Sequence, residues 1–324
     1  ALVGAVVRKS EMVESPDDRK ELLIYAANVN ETVMENPDGA VDLYQQVLTI
    51  DDADVRALDA LERLYIQLER WEQLKDVYQR KTELAEVPEE RRKLLLVLGQ
   101  VYDRELKDVD RAIDTYQAIL DIDPGDYEAI SALDRLYGTA ERWLDQLQIL
   151  ERAVETVERP EERASLRYRI GVLWETQLTD AVRAIEAYRD VLGLDPSHQD
   201  TLEALARIVH GDVEPLQAAQ VLEPIYEQLA EWEKLVDLYE VVVKHTEDPI
   251  SQIERLHQIA GIYERQLSEF DKAFGAYARA LEADPQGEDS IEQLYRLAEV
   301  TGDWEKLARL LAEQAENMMD PLVK

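Results

Sequence analysis

The chain has 324 residues, of which 36 are Lys or Arg and 70 are Asp or Glu, giving a formal net charge of −34 at pH 7. This charge argues against nucleic-acid binding, which needs clustered basic residues, and against binding to an anionic membrane surface. The absence of Cys excludes disulfides, thiolate metal sites and a Cys nucleophile, and no apolar run approaches the about 20 residues of a membrane-spanning helix.

The predicted elements are all helices. The first helix-start signal is Pro16-Asp17-Asp18, in which a proline and two carboxylates suit the first turn of a helix. Farther along, apolar residues recur at three- and four-residue steps, as in the segment from Leu95 to Tyr102 and the next one from Ala112 to Leu120. Hydrophobic residues make up 46% of the chain, enough for a packed core.

Several landmarks repeat along the chain with one period. The tryptophans Trp71, Trp143, Trp232 and Trp304 are separated by 72, 89 and 72 residues. The turns that begin at Asp51, Asp123, Asp195 and Asp284 are separated by 72, 72 and 89 residues. The period is therefore 72 residues, with one 17-residue insertion between Asp195 and Trp232.

The period divides the chain into units of four helices, about 18 helices in all. Residues 1–19 are predicted to end a preceding repeat, and residues 20–91, 92–163, 164–252 and 253–324 to form repeat units 1 to 4 of a single solenoid. Because Pro16 and Pro321 share the phase of Pro88, Pro160 and Pro249, we expect a fragment of a longer array. The insertion is expected near 197–230, as one extra helix or an irregular hairpin that changes the local curvature.

The residues of the first hairpin in each unit resemble the tetratricopeptide repeat (TPR). The resemblance is carried by Leu98, Gly99 and Tyr102 on the first helix of the hairpin and by Ala112 and Tyr116 on the second. The resemblance implies an all-α fold, a right-handed α-solenoid of antiparallel helical hairpins. Long acidic arrays of this paired type look like those in bacterial envelope and motility proteins.

The resemblance also implies that the first helix of each hairpin lines a concave groove. The expected partner groove would contain Ile24, Asn28, Glu31, Leu96, Gln100, Asp103, Tyr168, Val172, Glu175, Gln258, Ile262 and Arg265. Such a mixed surface suits a protein or peptide partner with basic and apolar character. The basic clamp with which some TPR proteins grip chaperone tails is not matched by these residues.

No pattern in the sequence predicts chemistry. The four histidines, His198, His210, His245 and His257, lack the spacing of a helical zinc site, and the acidic turn at Asp121–Glu128 lacks the ligand order of a calcium loop. We therefore expect no enzyme activity, no catalytic residue, no metal and no cofactor. The repeated tryptophans are expected to pack one hairpin on the next.

Three functions remain open at this point. The first is a non-enzymatic scaffold for protein–protein interaction. The second is a structural component that self-associates into a larger complex or filament, and the third is a regulatory arm of a multidomain protein. Neither nucleic acid nor direct membrane insertion is expected, and the sequence does not distinguish the cytoplasm from the cell envelope.

Overall fold

The computed structural model describes residues 2–319, so Pro321 lies outside the described part. Over that range it contains 18 α-helices and no strand, which confirms the predicted all-α solenoid of helical hairpins. The chain divides into two compact units, residues 1–156 and 157–324. No helix in the described range is long and apolar enough to cross a membrane.

The first unit holds nine helices. They are α1 (Leu2–Met12), α2 (Pro16–Thr32), α3 (Pro37–Ile50), α4 (Val55–Gln67), α5 (Trp71–Leu84), α6 (Pro88–Gln100), α7 (Val109–Ile122), α8 (Tyr127–Thr139) and α9 (Trp143–Thr156). A π-helical segment, Val101–Leu106, continues α6.

The second unit also holds nine helices. They are α10 (Pro160–Thr176), α11 (Ala181–Leu194), α12 (Gln199–Val209), α13 (Pro215–Gln228), α14 (Trp232–His245), α15 (Pro249–Arg265), α16 (Phe270–Ala283), α17 (Glu288–Thr301) and α18 (Trp304–Met319).

Local sequence sets the helix ends. Proline is the first residue of α2, α3, α6, α10, α13 and α15, where its missing N–H costs no hydrogen bond. The carboxylates of Asp54 and Asp126 each accept a hydrogen bond from the backbone N–H three residues on, which caps α4 and α8. Positive-φ residues in the connections recur with the repeat, and Glu214 adds one more before α13.

The hairpins that open repeat units 2 and 3 are each closed by a glycine facing a buried tyrosine. A Cβ atom built on Gly99 in α6 would lie 2.8 Å from the ring of Tyr116 in α7, closer than real Cβ contacts. In the second unit Gly171 and Tyr188 make the same contact between α10 and α11. In these two hairpins the TPR-like spacing of glycine and tyrosine therefore brings the two helices close together.

The repeated tryptophans begin helices. Trp71, Trp143 and Trp232 are the first residues of α5, α9 and α14 and are half-buried, and Trp232 packs against the core of the second unit. Trp304, at the start of α18, is 51% exposed.

The third repeat contains five helices. Between α11 and α14 the chain forms α12 and α13, where the preceding repeat has only α8 between α7 and α9. Tyr226 in α13 stands 89 residues after Tyr137 of α8, but Val221 stands 72 residues after Ile149 of α9. Helix α13 therefore resembles both α8 and α9, the two helices of the corresponding hairpin in the preceding repeat.

Contacts between alternate helices define two rows in the second unit. One row runs α10–α12–α14–α16–α18, joined by Glu175–Arg207 (3.5 Å), Asp237–His210 (2.9 Å), Glu240–Arg279 (2.6 Å) and Asp271–Lys306 (2.9 Å). The other runs α11–α13–α15–α17, in which α11 packs against α13 and the later pairs are Glu223–Arg255 (2.5 Å) and Glu264–Arg296 (2.5 Å). The first helices of the third and fourth repeats, α10 and α15, thus lie in different rows.

Candidate functional site

The first predicted groove residues lie on α2. Ile24 is buried at 8% exposure and so belongs to the core, whereas Asn28 is exposed. The side-chain carbonyl of Asn28 accepts a hydrogen bond from the hydroxyl of Tyr44 (2.9 Å). Glu31 accepts one from the guanidinium of Arg63 in α4 (2.7 Å). Only Asn28 of this trio therefore presents an exposed side chain.

The next trio lies on α6 and its π-helical extension. Leu96 is buried and Gln100 is half-buried. Asp103 lies in the π-helical segment and forms an ion pair with Arg135 of α8. The trio thus repeats the pattern of α2: a core residue, an amide and a paired carboxylate.

The trio on α10 is part of a polar and aromatic cluster. The ring centroid of Tyr168 lies 5.8 Å from that of Tyr188 and 5.3 Å from that of His198. The hydroxyl of Tyr188 donates to Glu175 (2.5 Å), and burial together with this bond raises the pKa of Tyr188. Val172 is half-buried beside this cluster.

The last trio lies on α15. Gln258, Ile262 and Arg265 line a shallow cavity of about 210 Å³ with Trp232 and Tyr239 of α14. Because α15 lies in the other row of the second unit, the structure does not place this trio beside the one on α10. The positions that follow Tyr168, Val172 and Glu175 by 89 residues are those just before the trio, 257, 261 and 264.

A regular series of ion pairs was not predicted. Each joins an acidic residue near the end of a repeat's first helix to an arginine 32 residues later: Glu31–Arg63, Asp103–Arg135, Glu175–Arg207 and Glu264–Arg296. Hydrogen bonds from Arg296 lower the pKa of Glu264. The constant spacing of 32 is visible in the sequence, but 70 acidic residues hide it. These carboxylates are therefore neutralised within the fold.

Two exposed apolar side chains were also missed. Tyr25 on α2 is 53% exposed, and Val97, 72 residues later on α6, is 36% exposed. Each stands three residues before an amide, Asn28 or Gln100, on the same helix face. The first helices of repeats 1 and 2 thus present an apolar side chain next to an amide.

Among residues 2–319 no group of three or more metal-binding side chains comes together.

Comparisons with known proteins identify the repeat. Two models of the tetratricopeptide repeat match residues 57–92 and 94–126. No curated protein matches the chain.

Among solved structures, YrrB, described as a TPR protein with an unusual peptide-binding site, is 20% identical over 56% of this chain and 90% of its own, with a TM-score of 0.34. The C-terminal part of a TPR repeat-containing protein from Cytophaga hutchinsonii is 16% identical over 84% of this chain and 99% of its own (TM-score 0.34). A chain of the Naa15/Naa10 complex bound to HypK-THB is 15% identical over 95% of this chain and 52% of its own (TM-score 0.33).

Proposed function

Because the chain is a tetratricopeptide repeat protein, we propose that it is a non-enzymatic scaffold that holds a segment of a partner protein against the exposed faces of its first helices. Tetratricopeptide repeats generally mediate protein–protein interaction, and proteins built from them are typically scaffolds without catalysis. The proposal here concerns which faces bind and what they bind.

The repeated pairing of Tyr25 with Asn28 and of Val97 with Gln100 is the observation that carries the proposal. The apolar side chains offer area that is removed from water on binding, and each amide can both donate to and accept from a peptide backbone. Arg63 neutralises Glu31 at the end of α2, so this face offers contacts that are mainly apolar and uncharged.

The whole-chain charge acts at longer range. A net charge of −34 attracts a basic partner and raises its association rate, and the effect weakens as salt is added. The proposed partner segment therefore has apolar side chains for the helix faces and basic residues around them.

The second unit contributes its own contacts. Since α10 and α15 lie in different rows, we propose that Tyr168 with Val172 and Gln258 with Ile262 contact different parts of a partner or two separate segments.

Photo-crosslinking and titration test the proposal. A photoreactive residue in place of Gln100 is expected to capture a partner from an extract of the source cells. The purified partner should then bind Tyr25→Ser/Val97→Ser about tenfold or more weakly by isothermal titration calorimetry, a loss of about 1.4 kcal/mol. Leu144→Ser is the control, because Leu144 is also an exposed apolar side chain (61%) but lies on α9.

Equal affinity of the partner for wild type and the double variant would contradict the proposal. Recovery of this chain alone, in assemblies that persist at about 1 M salt where charge repulsion is screened within about 3 Å, would favour self-association instead.

A further inference from the structure

Two grooves occupy equivalent places in the two units. In the first unit a groove between α7 and α9 is lined by Gln117, Leu120, Asp121, Gln148, Ile149 and Arg152. In the second unit a groove between α11 and α13 is lined by the residues 72 positions later, Arg189, Leu192, Gly193, Gln220, Val221 and Pro224. The fold therefore builds the same groove twice, and the two can be compared residue by residue.

The first groove is charged and partly filled. The guanidinium of Arg152 donates to the backbone carbonyls of Pro124 (2.9 Å) and Leu120 (3.1 Å). Asp121 and Asp145 also line this groove, which measures about 320 Å³.

The second groove has lost these charged side chains. Gly193 stands where Asp121 does, Pro224 where Arg152 does, and Gln217 where Asp145 does. The groove between α11 and α13 measures about 470 Å³. Ile185 and Leu192, both buried, form its floor, so the differences leave a larger and mainly apolar groove.

Two of these positions are unfavourable for the helices that carry them. Glycine in the last turn of α11 weakens that end of the helix. A Cβ atom built on Gly193 would meet nothing within 4 Å, so no neighbour in the fold requires a glycine there. Pro224 lies inside α13 and has no N–H, so the carbonyl of Gln220 lacks the donor that residue i+4 normally supplies. Both residues lie on the groove, where they leave space and an available backbone acceptor.

The charge of this groove is opposite to that of the chain. Arg189 stands where Gln117 does and, in the described part of the chain, is the only charged residue lining the groove between α11 and α13. It is exposed and forms no ion pair within residues 2–319. The lining charge is thus positive in a chain of net charge −34, so charge complementarity at this groove favours an anionic group.

We propose that the groove between α11 and α13 binds a segment of a partner protein that carries apolar side chains next to an acidic side chain. The apolar side chains of the partner pack on Val221, Pro224 and Ile225, which are the accessible apolar residues of the lining. The carboxylate pairs with Arg189, and Gln217 and Gln220 bond to the partner's backbone amides. This site does not involve the exposed faces of α2 and α6 and does not depend on the function proposed for them.

Selection from a random peptide library tests the proposal with a matched variant. The library is selected on wild type and on Gly193→Asp/Pro224→Arg, which restores the residues of the equivalent groove. Wild type is expected to enrich peptides with neighbouring apolar residues followed by Asp or Glu. By fluorescence anisotropy, a synthetic peptide of the enriched sequence should bind the double variant and Arg189→Glu about tenfold or more weakly.

Two controls separate this site from others and from misfolding. Asp121→Gly, in the groove between α7 and α9, should leave the affinity of the peptide unchanged, as should Tyr25→Ser/Val97→Ser. The far-ultraviolet circular dichroism of Gly193→Asp/Pro224→Arg should match wild type, because Asp121 and Arg152 occupy the same places in intact helices.

The proposal is overturned if wild type enriches no sequence over the double variant, if the enriched peptides are basic, or if their affinity is unchanged by Arg189→Glu. Loss of the peptide on Tyr25→Ser/Val97→Ser would move the site to the first helices and would also overturn it. Failure of the partner titration on α2 and α6 would leave these results unaffected, so the two proposals can fail separately.

Discussion

Two glycines of one hairpin are expected to respond in opposite ways to the same substitution. Gly171 lies inside α10 and Gly193 is the last residue but one of α11, so alanine at either position improves helix propensity, by up to about 1 kcal/mol. At Gly193 the new methyl group meets nothing within 4 Å, so no clash offsets the gain in helix propensity. At Gly171 it would overlap the ring of Tyr188, which is fully buried.

Overpacking of a core typically costs about 1–3 kcal/mol. Subtracting the propensity gain of about 0.5–1 kcal/mol, we expect Gly171→Ala to destabilise the hairpin by up to about 2.5 kcal/mol. Because a repeat array can unfold in parts, hydrogen exchange of the α10 and α11 amides is the better measure, supported by urea unfolding. In a Tyr188→Leu background, which removes the ring, adding Gly171→Ala should no longer destabilise the hairpin appreciably.

The same sign for both glycines would refute this reasoning. In particular, destabilisation by Gly193→Ala would show that the space beside α11 is filled, and that the groove between α11 and α13 is not open.

Three further predictions rest on single contacts. Pro224→Arg should slow hydrogen exchange in α13 and stabilise the helix by about 2 kcal/mol. Replacing proline restores a helix hydrogen bond and gains about 3 kcal/mol, while the loss of proline rigidity in the unfolded chain offsets about 1 kcal/mol. Unchanged hydrogen exchange in α13 would contradict this prediction. Arg296→Gln should cost about 0.5–1 kcal/mol at pH 7, because the side chain of Arg296 in the pair with Glu264 is 42% exposed and therefore screened by water. Since the pKa of Glu264 is lowered, this cost should be present above the ordinary carboxyl pKa and disappear as the pH falls through the folded value, as urea titrations at several pH values would show. Burial lowers the pKa of His257, so thermal stability should fall as the pH drops below the ordinary histidine value of about 6.5, and His257→Phe should reduce that fall.

Much of the fold could be predicted from the sequence because it is repeated. One match of Gly99 with Tyr116 is weak, but the same match 72 residues later, between Gly171 and Tyr188, makes the hairpin assignment strong. The number of helices followed in the same way outside the insertion, where the third repeat has one additional helix. The residues of the partner groove could not be predicted in this way. The exposure of a side chain depends on the side chains packed around it, and the repeat period does not specify them.

Ile24 and Leu96 show where the prediction of groove residues lost accuracy. Both have the expected phase on the first helix, but both are buried at 8% exposure, and Tyr25 and Val97 are the exposed apolar residues. One residue corresponds to a rotation of about 100° around a helix, which separates a core position from a surface position. The resemblance predicts where each helix begins and ends but not how the helix is rotated about its axis. It therefore does not identify the side chains that a partner contacts.

The 17-residue insertion has the largest effect on where the surfaces lie. Consecutive helices alternate between two rows, so one additional helix shifts every later helix to the other row. The acidic end of α10 pairs with α12 and the equivalent end of α15 pairs with α17, but the second pair lies in the row that contains α11 and α13. An insertion of two helices would have kept α10 and α15 in one row. Helix α13 must therefore act as the second helix of one hairpin and the first of the next. Pro224 lies at this junction, where the sequence follows neither pattern fully and the groove against α11 stays open.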